Sequence, residues 1–397
     1  MMIVRQPTGQ EIARVEELMA IAFETPLDRT AEKRPWPDNA HPWAAYCPET
    51  GEMMSALLVT EFKVRFDGCA CKMGGVGGAA TLPQYRRRGG IRGCFAAALP
   101  QMYESGCDFS YLYPFSTAFY RKFGYESCVQ KYQTTVDLGM LQVPAGKGYF
   151  RLAEDACPMT AEIRALDRLW EERFNMMVLH QPEYYRWTEE EDPAAKQEFT
   201  YVCFDGQGQP CAYTTFRRKA ESGGCDLVCS RFLFRDREGF RGLMELFKRL
   251  SAGHRYVKFL LPAIPALQYL LPEWSMGAAA WTVQPAGMVR VVNACAVLEK
   301  ARYRGSGRVV LSLEDQQIPQ NCGVFAVEFR EGAAVSVART AEEPDALLTM
   351  PAFSALMAGT CEFIHAQAWL DGLTVKNAAA PLDRVFYRKP MMIVDRF

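Results

Sequence analysis

The sequence predicts an α/β chain: two mixed sheets in tandem, each flanked by helices, then a smaller α+β domain. Three observations predict it. A small-residue, β-like segment ending at Thr81 passes through Arg86-Arg87-Arg88-Gly89-Gly90 into Cys94–Leu99, which reads as the start of a helix. The order around it (helix, two strands, loop and helix, strand, helix, strand) recurs after residue 149. Beyond Met288 the pattern changes to short alternating strands and one helix. The implied domains are 1–148, 149–284 and 285–397. A chain of 397 residues exceeds one ordinary domain, and 49% hydrophobic residues suffice for large cores.

In chain order, residues 11–23 place apolar side chains at 12, 15, 18, 19, 22 and 23, the spacing of one helix face, with Thr8 as a cap. Phe23 to Pro42 is polar and proline-rich and reads as a loop over a site. Within it, Phe23 and Trp36 either line a substrate pocket or pack beneath the loop. Strands follow at 53–66 and 69–82, joined by the hairpin signal Asp67-Gly68. The arginine loop leads into a helix to about Tyr103. Phe109–Tyr113 is a strand ended by Pro114, and Thr117–Glu126 a short helix with a glycine-terminated turn. Tyr132–Leu138 is a further strand, and Pro144–Gly148 a linker.

The second copy reads as a helix over 159–177, strands at 199–204, 211–217, 227–233 and 256–261, a helix over 239–250, and a short helix from Leu267. Its turn is Arg235-Asp236-Arg237-Glu238-Gly239. Two acids stand where a phosphate would lie and would repel it, so this copy is expected to have lost its anion site. The last domain shows strands at 308–313, 323–329 and 334–339 and a helix at 352–358. Chain ends are usually polar and frayed; the apolar end at Phe397 is expected to be tucked into the protein.

Composition excludes several functions. The net charge is −1 with no long block of one sign, which argues against nucleic-acid binding. No apolar run approaches the ~18–20 residues of a membrane span. No signal peptide opens the chain, and fourteen scattered cysteines fit free thiols in a reducing cytoplasm. None of the four histidines, His41, His180, His254 and His365, pairs at metal-site spacing, so no metal is expected.

The arginine loop carries the chemistry. Unpartnered N–H groups at a helix N-terminus, the helix dipole and close-approach glycines form an anion cradle. The three arginines add charge, and a pyrophosphate fits. The dinucleotide pattern is not met by Gly75-Val76-Gly77-Gly78, and no Walker loop is present. Arg86-Arg87-Arg88-Gly89 resembles instead the [QR]-x-x-G-x-[GA] loop of the GCN5-related N-acetyltransferases (GNAT), which binds acetyl-coenzyme A; Ile91 stands where that family has Gly or Ala.

With Phe119-Tyr120-Arg121-Lys122-Phe123-Gly124-Tyr125, Met288-Val289-Arg290-Val291 and the terminal Phe397, the whole chain resembles the enhanced intracellular survival (Eis) acetyltransferases. The resemblance implies an active GNAT domain, a degenerate second one and a sterol-carrier-protein-2-like domain. It implies acetyl-CoA as cosubstrate and direct acetyl transfer to a primary amine of an aminoglycoside, polyamine or lysine. It gives Tyr120 the role of acid toward the leaving thiolate and the Phe397 carboxylate the role of base. Backbone groups of Ala79, Ala80 and Thr81 would pair with the pantetheine arm. Arg86, Arg87, Arg88, Gly89, Gly90 and Ile91 would surround the pyrophosphate. Phe115 falls where the family has a small polar residue. Glu24 and Asp28, in the loop that carries Phe23 and Trp36, would border a cationic acceptor, and Glu126 is a further candidate acid; the alternative for all three is a surface charge. The family also implies a homohexamer. A non-catalytic CoA- or lipid-binding module remains the rival reading.

Overall fold

A capping box sets the first helix. The Thr8 N–H and hydroxyl both donate to the Glu11 carboxylate, at 2.8 and 3.0 Å. The computed structural model describes residues 2–27, 36–189, 192–221, 224–262, 270 and 277–395. Contacts divide the chain into two units, one of Met1–Val129, Ala286–Lys389 and Asp395–Phe397, the other of Gln130–Pro285 and Pro390–Val394.

The first unit begins with β1 (Ile3–Arg5), α1 (Ile12–Phe23), β2 (Ala40–Tyr46), β3 (Met53–Phe66), β4 (Cys69–Thr81), α2 (Gly90–Glu104), β5 (Phe109–Leu112) and α3 (Thr117–Arg121), and the strand β6 (Glu126–Asp137) leads out of it. Strands β1 to β4 pair antiparallel in sequence order, and β5 joins β4 in parallel. The hairpin turn is as the sequence requires: Asp67 and Gly68 both have positive φ, 48° and 92°. Strand β2 departs from the expected loop. Pro42 pairs with Leu58 of β3, while β1 reaches only Ala44–Tyr46. The missing N–H of Pro42 therefore interrupts no ladder on that side.

The second unit holds β7 (Tyr149–Leu152), α4 (Thr160–Arg173), α5 (Arg186–Glu189), α6 (Pro193–Lys196), β8 (Glu198–Phe204), β9 (Pro210–Glu221), β10 (Gly224–Phe234), α7 (Arg237–Arg249) and β11 (Tyr256–Leu261). Its strand order is β7-β8-β9-β10-β11-β6, with only β10–β11 parallel. The core is aromatic. Phe232 stacks on Phe259 at 3.9 Å, and buried Trp170 donates its indole N–H to the Phe234 carbonyl at 2.8 Å. The expected helix from Leu267 lies outside the described residues apart from Leu270.

From β12 (Ala279–Val291) the chain returns to the first unit: Met288–Val291 pair antiparallel with Phe109–Leu112 of β5. Then come α8 (Ala294–Lys300), β13 (Gly307–Glu314), β14 (Gly323–Arg330), β15 (Ala333–Arg339), β16 (Ala346–Thr349), α9 (Met350–Ala358), α10 (Phe363–Trp369), β17 (Leu373–Val375) and α11 (Leu382–Val385). The five strands form a separate sheet, β15-β14-β13-β16-β17. Buried polar links fasten this part to the N-terminal sheet. Arg290 is wholly buried and ion-paired with Asp315. Ser354 accepts the Val291 N–H at 2.9 Å. Lys389 pairs with Asp67 at the hairpin turn, and Lys300 with Asp108 at 2.6 Å.

Candidate active site

Strand β4 forks away from β5. It pairs with β3 as far as Thr81, opposite Ser55, but with β5 only over Met73–Val76. A bulge falls where the register shifts between Ala56 and Leu58, and Gly78 there has φ +58°. A Cβ on Gly78 would stand 2.5 Å from Met19 of α1, so helix and bulge pack closely. A bulge turns a strand and ends pairing. Ala79, Ala80 and Thr81 thus lie beyond the β4–β5 ladder, with no partner strand on that side among the described residues.

After Thr81 one 3-10 turn, Pro83–Tyr85, leads to the arginines. Arg87 and Gly89 take left-handed conformations, φ +67° and +87°, and α2 starts at Gly90. Gly90 must be glycine: a Cβ would meet the Ser55 hydroxyl at 2.2 Å. This packing sets the helix N-terminus against β3, with Ile91 half-buried in its first turn. Arg86 and Arg87 are exposed and make no ion pair among the described residues. Arg88 instead leans back toward Glu49, at 3.5 Å, and over the Tyr85 ring. Two free guanidinium groups and a helix N-terminus therefore stand at one end of the fork.

Tyr120 lies past the end of β5. Pro114 ends the strand, and Ser116 caps α3 by accepting the Phe119 N–H at 3.4 Å. Tyr120 is 3% exposed. Its ring is edge-on to Phe95 of α2 at 5.9 Å, to Phe115 at 5.2 Å and to Tyr125 at 6.4 Å. Burial pushes its phenol up to about 12, so it is a neutral proton donor at physiological pH. The turn behind it is pinned: Arg290 donates to the Phe123 carbonyl, and a Cβ on Gly124 would collide with that guanidinium.

Phe397 lies outside the described residues. Asp395 is described, and its carbonyl accepts the Tyr113 hydroxyl at 2.5 Å. Tyr113 follows β5 directly, so the tail is held where the strand leaves the fork. Sequence reasoning missed this residue; its one local signal was an aromatic hydroxyl placed between a strand end and Pro114.

The remaining candidates gather on α1. Phe23 is its last residue, 52% exposed, and Glu24 is its left-handed C-cap, φ +54°. Asp28 lies outside the described residues. Trp36 is half-buried and donates its indole N–H to Glu16 at 2.9 Å. Glu126 is no open acid: both its oxygens accept from Arg121, at 2.7 and 2.8 Å. In the second unit Asp236 and Glu238 stand at the start of α7. Asp236 caps α7 by accepting the Gly239 N–H at 3.0 Å and pairs with Arg235, which also reaches Asp205 at 2.9 Å.

Family comparison matches three segments. Residues 4–128 and 176–291 match two acetyltransferase (GNAT) domain models, and 294–393 a sterol carrier protein domain. No curated protein matches the chain. Solved structures share the fold along its whole length. A conserved Enterococcus faecalis protein regarded as an N-acyltransferase superposes with TM-score 0.86 at 20% identity, covering 100% of both chains. A GCN5-related N-acetyltransferase from Anabaena variabilis gives 0.82 at 16%, and the Eis protein of Mycobacterium abscessus 0.79 at 18%, each again covering 100% of both chains.

Proposed function

Taking as premise that this chain is an Eis-like N-acetyltransferase, two GNAT domains followed by a sterol carrier protein domain, we propose that its first domain moves acetyl from acetyl-CoA directly to a primary amine of a cationic acceptor. The observation that carries this reading is the fork. The β4 edge at Ala79–Thr81 has no partner beyond the β5 ladder among the described residues and leads into the exposed Arg86 and Arg87, while buried, protonated Tyr120 packs against Phe95 of the helix that follows them.

In this reading the pyrophosphate lies on the N-terminus of α2, with Arg86, Arg87 and the backbone of Gly89, Gly90 and Ile91, while Arg88 mainly braces the loop. The pantetheine arm runs along Ala79–Thr81 as an added strand. The amine nitrogen attacks the thioester carbonyl, a C–N bond forms and the C–S bond breaks. Tyr120 gives its proton to the departing sulfur, and the Phe397 carboxylate takes one from the ammonium. Proton transfer by a placed group typically contributes 10²–10⁴-fold. The Tyr113–Asp395 bond, two residues before Phe397, supports the terminus as that base. The exposed carboxylate of Glu24, next to Phe23 at the end of α1, supports a cationic acceptor. Assembly as a hexamer and cytoplasmic residence belong to the same proposal; light scattering tests the first and fractionation the second.

The test is thiol release from acetyl-CoA with polyamines, aminoglycosides and lysine peptides as acceptors. Turnover with at least one amine is expected. Acetyl-CoA binding without thiol release from any of them would favour the non-catalytic module instead.

A further inference from the structure

Two acids of the turn between β2 and β3 hold the side chains on either side of Arg86 and Arg87. The turn is closed by the Cys47 N–H on the Glu52 carbonyl and the Gly51 N–H on the Cys47 carbonyl, each at 2.8 Å. Tyr85 is buried; its hydroxyl donates to the Glu52 carboxylate and lies 3.3 Å from the Thr50 hydroxyl. The bond to Glu52 holds the phenol above its ordinary value, so it stays a donor. Arg88 lies 3.5 Å from Glu49 and 3.6 Å from the Cys47 sulfur. The Cys47 thiol donates to Glu49 at 2.8 Å and holds that carboxyl below its ordinary value, so the acid stays charged. Among the described residues, every side-chain hydrogen bond and ion pair of Tyr85 and Arg88 goes to this one turn.

We infer that the β2–β3 turn positions the arginine loop for its ligand: Glu52 anchors the loop through Tyr85, and Glu49 keeps Arg88 engaged, leaving Arg86 and Arg87 for the phosphates. The inference rests on the CoA reading above. Main-chain contacts fix the loop only at its two ends, where the Leu82 N–H donates to the Met54 carbonyl at 3.0 Å and Gly90 packs against Ser55. Between those ends Arg87 is left-handed, a conformation that a residue other than glycine seldom takes. Anchors at 85 and 88 enclose that residue and select its conformation before the ligand arrives. A loop ordered in advance loses less entropy on binding. Glu49 acts in the opposite sense, as an anion of the protein that competes with the ligand for Arg88. Its pair with Arg88 is exposed, so its effect is small.

The two acids therefore predict changes of opposite sign. Calorimetry on the full chain reads them with acetyl-CoA and with 3′-phospho-ADP, which carries the phosphates without the pantetheine arm. Tyr85→Phe removes the anchor and keeps the ring; the Kd of both ligands is expected to rise about fivefold. Glu49→Gln frees Arg88; both Kd values are expected to fall about twofold to threefold. In a chain that already carries Arg88→Gln, Glu49→Gln should change nothing. The effects should appear in the KM of acetyl-CoA, with kcat within about twofold. Unchanged affinity in either single variant, weaker binding in Glu49→Gln, or a tightening that survives Arg88→Gln would each overturn the inference and leave the CoA reading standing. A wild-type chain that bound neither acetyl-CoA nor 3′-phospho-ADP would remove both together.

Discussion

The Tyr113 hydroxyl donates to the main-chain carbonyl of Asp395, tying the end of β5 to the chain 282 residues further on. The bond holds residue 395 through its main-chain carbonyl, so it is removed by changing the tyrosine hydroxyl. Tyr113→Phe removes the donor and keeps the ring, which packs edge-on to Tyr111 at 5.3 Å. A hydrogen bond of this kind is worth about 1 kcal/mol net, so kcat should fall about fivefold. Acetyl-CoA affinity should be unaffected. The split is read from steady-state kinetics beside calorimetry. Adding one glycine after Phe397 should lower kcat further by displacing the carboxylate, and unchanged rates in both variants would reject the terminal base.

Tyr120 makes a pH prediction. An acid must be protonated to act, and burial raises this phenol to about 12. It therefore stays protonated throughout the stable range. The profile of kcat/KM against pH should rise on the acid side as the amine and its base lose protons, then level off, with no alkaline fall below pH ~10. A fall with a midpoint well below that would exclude Tyr120 as the acid. Tyr120→Phe should bind acetyl-CoA normally and lose about 10²-fold or more in kcat.

The Arg290–Asp315 pair predicts a stability effect. Both side chains have no exposed surface, and Asp315 also accepts from Asn321 at 2.8 Å. Asp315→Ala strands a buried guanidinium and should cost about 3–5 kcal/mol. Glu342→Ala, which breaks the exposed pair with Arg308, should cost about 0–1 kcal/mol. Urea denaturation compares the two. Arg290 also holds the Phe123 carbonyl beside Tyr120, so Asp315→Ala should lose activity before it loses its fold.

Features with a local cause were legible in the sequence. Asp67-Gly68 signalled its turn because both positions need positive φ, and Arg86–Gly90 signalled the turn into α2 because glycine takes the left-handed conformation that the turn needs. Asp236 signalled the start of α7, which it caps. What needed the fold was non-local. Met288–Val291 is an apolar strand that any sheet could accept, and only the register with Phe109–Leu112 places it. Pro42 concealed β2 because its tolerance depends on how short β1 is. Glu126 looked like an open acid because its pairing with Arg121 forms only once the chain turns at Gly124. The pairing of Tyr113 with Asp395 joins segments 282 residues apart, so neither local sequence names the partner.

The two GNAT domains share a plan, yet the helix N-termini differ in charge, and this predicts binding stoichiometry. At α2 the helix start follows Arg86 and Arg87, which are exposed and make no ion pair among the described residues. At α7 the Asp236 carboxylate already accepts the Gly239 N–H, and Arg235 is engaged by Asp236 and Asp205. A pyrophosphate arriving there would have to displace one carboxylate and face a second, Glu238. Calorimetry should therefore find one acetyl-CoA per chain. Affinity should weaken as salt rises, because the contacts are exposed ion pairs. Replacing both Arg86 and Arg87 by Glu should abolish binding, since opposite charges become like charges at the same loop. A stoichiometry of two, or residual binding in that double variant at wild-type strength, would move the cofactor away from the α2 loop.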